Sequence, residues 1–305
     1  MLMSDIFKVQ KDGEVGIEVE QEFFKDFLID DNLNDWKIVK DGSLRNFGLE
    51  FVTKEPLSRQ RITPALKDLD KCLTKYSKLN DHESPRTSVH VHTNTLDMTP
   101  MEVWNQIILY WILDSCMVEL CGIYRTTNLF CLRLRDGVGV LDWAKADLNS
   151  QDILFNMFNN EELRYSSQNL VSITKFKSIE YRAHGGNFTV EGVYDWVNAL
   201  LSIKDAARTF TDPLDILTTY YEIGPDQFID RVLSPAYATR VKALPDYKDK
   251  VTYNADLLIN LVDGINWKKV ITIKTKNSKD AMEMKDKHKL FNAPRGILRP
   301  NDEAL

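Results

Sequence analysis

Gly16-Ile17-Glu18-Val19-Glu20, His90-Val91-His92 and Ile179-Glu180-Tyr181-Arg182 each place ionisable groups two residues apart, with apolar residues between. In a strand, residues i and i+2 share a face and lie about 7 Å apart. Each stretch therefore turns its polar groups to one side and its apolar residues to the other. Glu18 and Glu20 repel one another on such a face unless a cation intervenes, and hard oxygen ligands of this kind suit Mg2+ or Mn2+. Asp41 and Glu50 lie on a fourth segment. Glu50 interrupts the otherwise apolar Phe47-Gly48-Leu49-Glu50-Phe51-Val52 and so needs a partner or an ion. Glu180 and Arg182 form an ordinary salt bridge or, where phosphate is handled, a metal ligand beside a clamp for the transferring group.

Blander readings stand beside these. Glu18 and Glu20 could line an exposed edge strand, Asp41 could serve only its turn, and His90 and His92 could be hydrogen-bonded structural residues. An HxH pair without cysteine is a poor zinc signature. Arg125, Arg133 and Arg135, with Asn128 and Cys131 among them, read by themselves as a solvated loop after the long helix. The sequence contains no P-loop, GxGxxG or GxSxG motif, and Cys131 has no identifiable base to make it a nucleophile.

The elements that must position these groups follow from alternation and turn chemistry. Strands are predicted at about 14–24, 36–40, 47–53, 86–94, 167–175 and 178–184, with a tight turn at Asp41-Gly42. Helices are predicted at about 60–79, 99–124, 189–209, 212–221 and 224–233. The second starts at an N-cap, a proline and an acid, Thr99-Pro100-Met101-Glu102, and stops near Gly122. Strands and helices come in blocks, which implies an α+β fold with a largely antiparallel sheet. The acidic residues should share its concave face, with the helices at 99–124 and 189–209 on the convex side. The composition shift after Pro235 suggests a main domain over 1–235 and a C-terminal extension over 236–305, a small helical lid or a flexible tail.

The 305 residues, 43% hydrophobic, suit a globular protein. The apolar run from Trp104 to Leu120 contains Gln106, Asp114 and Glu119, so it reads as a buried helix, not a membrane span. Four cysteines without a CxxC pair, and an N-terminus without an apolar leader, fit a reducing cytoplasm. The net charge of −6 argues against a general nucleic-acid binder. Residues 266–305 nonetheless hold ten Lys or Arg against five Asp or Glu, a surplus that could dock on the acidic body.

Taken in order over roughly residues 14–210, the motifs resemble the amidoligase family of the glutamine synthetase and glutamate–cysteine ligase superfamily. GIEVE at 16–20 resembles its first metal strand, and Asp41-Gly42-Ser43-Leu44 with GLEFVT at 48–53 its second acidic segment. HVH at 90–92 is similar to its histidine strand, and Arg125 with Asn128 and Cys131 to its arginine-rich loop. Arg164-Tyr165, Asn169-Leu170 and IEYR at 179–182 resemble its closing strands.

The resemblance implies a glutamine synthetase-like curved sheet and an ATP-dependent carboxylate–amine ligase. In such an enzyme a small-molecule or peptide carboxylate takes the γ-phosphoryl group as an acyl phosphate, and an amine then displaces phosphate. Glu18, Glu20, Glu50 and Glu180 would hold Mg2+ (or Mn2+), while His90, His92 and Asn169 would contact the nucleotide. Arg182, Arg125 and Asp41 would serve catalysis. Compact members of this kind look phage-encoded, which implies a host cytoplasm. Ser88 departs from the family, where glycine often precedes HVH, and the tail from about 235 has no counterpart. The competing classes are a metal-dependent hydrolase and a non-enzymatic interaction protein on the same fold.

Overall fold

Period-two alternation does build one sheet. The structure is a computed structural model that describes residues 1–22, 33–45, 48–76, 84, 86–122, 124–126, 128, 131–133, 164–263, 265 and 267. Its strands are β1 (Val15–Gln21), β2 (Trp36–Val39), β3 (Leu49–Thr53), β4 (Ser88–Asn94), β5 (Gln168–Asn169) and β6 (Ser178–Gly185). They form a mixed α/β architecture around a six-stranded open sheet, ordered β2-β3-β1-β4-β6-β5, with every pairing antiparallel. The Asp41-Gly42 turn lies between β2 and β3; in it Asp41 Oδ1 accepts the Ser43 N–H at 2.7 Å.

The helices are α1 (Met3–Phe7), α2 (Arg59–Tyr76), α3 (Pro100–Leu120), α4 (Ser172–Phe176), α5 (Val190–Ala207), α6 (Pro213–Val232), α7 (Pro235–Lys242) and α8 (Tyr247–Val262). Thr99 and Glu102 close a reciprocal capping box at the start of α3, with Pro100 in the first turn, an arrangement worth about 1 kcal/mol. From Val103 to Val118 α3 is buried on every side, as an apolar central helix must be. Among the described residues no helix is long and apolar enough to cross a membrane.

Val15, Ile17 and Val19 of β1, Val89 and Val91 of β4, and Ile179 and Tyr181 of β6 bury one face of the sheet against the helices. Gln106 of α3 donates to Thr93 Oγ1 at 2.9 Å and to the Tyr181 hydroxyl at 2.8 Å, and so gives both buried hydroxyls a partner inside this layer. Helix α8 lies on α3, where Asn254 donates to the carbonyls of Trp111 and Ile112. Residues of α7 and α8 belong to the same hydrophobic core as the sheet. The basic tail lies almost entirely outside the described residues.

One expectation needs correcting and another is met within a single element. The segment 167–175 is not a strand: β5 has two residues, and α4 follows. Asn169 Oδ1 accepts the Val171 N–H at 3.0 Å, and Ser172 Oγ lies against Asn169 O, Ser178 O and the Glu180 N–H. These local bonds outcompete the strand preference of Leu170-Val171-Ser172-Ile173-Thr174. The two helices expected at 212–221 and 224–233 are both present within α6, separated by the non-helical Gly224 with φ 76, where Pro225 removes a backbone donor.

Candidate metal and phosphate site

The sheet register sets the site. On the face opposite the helices, Glu20 pairs across with Glu50 of β3, Glu18 with His90 of β4, and His92 with Glu180 of β6. Glu18, Glu20, Glu50, His90, His92, Glu180 and Arg182 thus share one side. His92 Nε2 lies 3.3 Å from Glu18 Oε1. His90 Nδ1 lies 3.3 Å from Glu18 Oε2 and 3.6 Å from Glu180 Oε1. Glu18, His92 and Glu180 each offer one ligand atom, all within 4.8 Å of one another.

Charge compensation decides each protonation state. Burial pushes Glu18 up, but the two histidines outweigh it and hold the carboxyl well below its usual range. Glu180 is likewise raised by burial, yet His92, His90 and Arg182 bring it below its ordinary value. Burial works to lower His92, but Glu18 and Glu180 prevail and raise it. Glu50 has no such partner, and burial together with Glu18, Glu20, Asp41 and Glu180 pushes it up to about 8.

Both oxygens of Glu180 are held. Arg182 Nη1 donates to Oε1, and Asn169 Nδ2 donates to Oε2 at 2.6 Å. Asn169, expected at the nucleotide, thus orients a carboxylate. Arg125 is buried, and its guanidinium is turned to the backbone. It donates through Nε to Ala183 O at 3.1 Å and through Nη2 to Arg182 O. Those carbonyls lie where β6 slips register against β4 between Val89 and Val91. The slip resembles a bulge, whose extra residue leaves backbone groups unpaired. Arg125 satisfies them and fixes the backbone that carries Arg182. The same slip turns His184 toward Trp196 of α5, where burial lowers its pKa to about 4.

Asp41 remains in its turn, near enough to Glu50 to raise it electrostatically. Cys131 is buried and its thiol is pushed up to about 11, which leaves no thiolate for nucleophilic chemistry. Arg135 lies outside the described residues.

Three participants escaped the sequence reading. Ser88 Oγ donates to Glu20 Oε2 at 2.5 Å and contacts His90 Nε2 at 2.7 Å. The Ser88 hydroxyl thus bridges Glu20 and His90. That turns His90 Nδ1 toward Glu18 and Glu180. Ser178 Oγ contacts His92 Nδ1 at 3.0 Å and orients the other imidazole. Glu22, buried, accepts the Arg45 N–H at 2.7 Å; its continuation of the Glu18, Glu20 alternation was the available signal. Neither a known protein-family model nor a characterised protein sequence matches this chain.

Proposed function

We propose that this protein is an ATP-dependent carboxylate–amine ligase on a glutamine synthetase-like sheet. The observation that supports it most is the convergence of Glu18, His92 and Glu180 from three strands within 4.8 Å, with Arg182 bound to Glu180. A metal ion fits these residues. His92 Nε2 is buried, with only the Glu18 carboxylate beside it at 3.3 Å and no well-formed hydrogen bond. A buried imidazole nitrogen between two carboxylates is the donor set of a divalent cation. Glu18, His92 and Glu180 would hold one Mg2+ or Mn2+, and Glu20 with Glu50 would contribute to another. Such ions neutralise phosphate charge during phosphoryl transfer.

The remaining roles belong to the chain itself. Asn169 and Arg182 orient Glu180, and Ser88 and Ser178 orient the two imidazoles, as outer partners of ligands do. Arg182, with a side chain 16% exposed, would meet charge that grows on the transferring group. The imidazole donor would equally serve a metal-dependent hydrolase, and one experiment separates the two. Purified protein with Mg2+ and ATP is screened against pooled carboxylates and amines. A ligase releases ADP only when both substrates are present, and ATP binding falls at least about tenfold when a chelator removes the cation. Equal ATP affinity with and without chelator would sink the reading.

A further inference from the structure

Phe176 ends α4 and is 60% exposed. Single exposed apolar residues are common and need no explanation, but this one is held with unusual care. Its ring meets the His92 ring edge-on, with centroids 5.6 Å apart and planes at 86°. The short helix beneath it is tied to the sheet by Ser172 Oγ, and its exit through Lys177 is left-handed, with φ 66. Thr95 fixes that exit by donating both its N–H, at 3.0 Å, and its hydroxyl, at 2.8 Å, to Lys177 O. Lys177 Nζ then lies over the Phe7 ring, 4.2 Å from its centroid. The chain thus presents an apolar ring to solvent from a fixed backbone, edge-on to a site histidine.

We propose that Phe176 is a stacking platform for the purine ring of the nucleotide whose phosphates approach His92, Glu18 and Glu180. This rests on the nucleotide part of the reading above. A planar base laid on an aromatic ring carried by a fixed backbone gains stacking affinity. The ring lies on the His92 side of the cluster, away from Glu50 and Asp41, so the base and the acidic end of the face do not compete for space.

The test is calorimetry on the full chain with Mg2+, using ADP and inorganic pyrophosphate as separate probes, for the wild type, Phe176→Ala and Phe176→Trp. Phe176→Ala should weaken ADP about tenfold or more and leave pyrophosphate unchanged, while Phe176→Trp should retain ADP affinity. Unchanged ADP binding in Phe176→Ala overturns the stacking role alone. Equal weakening of both probes overturns it too, because the ring would then act only by holding His92. Failure of the wild type to bind either probe overturns the nucleotide reading along with it.

Discussion

Glu180 on β6 and Glu50 on β3 are the same residue type on the same sheet face, one to either side of β1, and their protons behave oppositely. Glu180 is the more buried of the two, yet His92, His90 and Arg182 hold it ionised. Glu50 is only half-buried, yet it faces Glu18, Glu20 and Asp41 and is pushed up to about 8. Counter-charge, more than depth, sets the state of a carboxylate here. One end of the face has its cations built in, and the other requires a proton or an added metal ion.

The sharpest break in that comparison is at the compensated end. Arg182→Ala should bind Mg2+-ATP nearly as the wild type does and lose on the order of 10³-fold in turnover, as when an electrostatic stabiliser is removed. Glu180→Ala should lose both. Arg182→Lys should rescue only partly, since an ammonium lacks the planar fork. If both alanine variants instead melt lower together with similar, modest kinetic defects, the pair is a plain salt bridge.

A smaller effect is expected one layer behind. Arg125→Met leaves two buried β6 carbonyls unsatisfied and should cost about 2–4 kcal/mol in urea unfolding. Turnover should fall with metal-dependent ATP binding nearly intact, because Arg182 loses its backbone support. A variant as stable as the wild type would show that the register slip is held by other contacts.

The smallest effect is at the uncompensated end. In metal-free protein the unfolded Glu50 ionises near 4.5 and the folded one near 8. Between these values the folded state binds a proton that the unfolded state has lost, so stability falls as pH rises through that window. Glu50→Gln removes the penalty. Its melting temperature should exceed that of the wild type by a few degrees at pH 8, and the gap should shrink toward pH 4.5. Saturating Mg2+ should narrow the gap at pH 8. A difference independent of pH would count against the charge argument.

The face itself was legible because period two is a property of any strand: Glu18 with Glu20, His90 with His92, and Glu180 with Arg182 had to share sides. The largely antiparallel sheet and the helices that became α3 and α5 followed from blocks of alternating and helical pattern. Arg125 was recognised as notable, but its bonds to β6 carbonyls depend on a register slip that no local spacing encodes. Ser88 stood out only as a departure from glycine, and its place between Glu20 and His90 emerges when β1 and β4 pair. In 167–175 the β-branched residues spoke for a strand, while the deciding bonds came from Asn169 and Ser172. Nothing in local pattern marked Phe176, which matters through its neighbour His92 on another element.

The order of the strands also bears on how the chain is made. Gln21 at the end of β1 bonds to Gly186, just beyond β6, across 165 residues of sequence. At about 5–20 residues per second, β6 leaves the ribosome on the order of ten seconds after β1. Until then Glu18 lacks Glu180 and Arg182 beside it, and the far edge of β4 has no partner strand. An unpaired edge of that kind is a template for pairing with other chains. The nascent protein therefore has a defined interval of exposure, and slow translation between residues 94 and 178 would lengthen it.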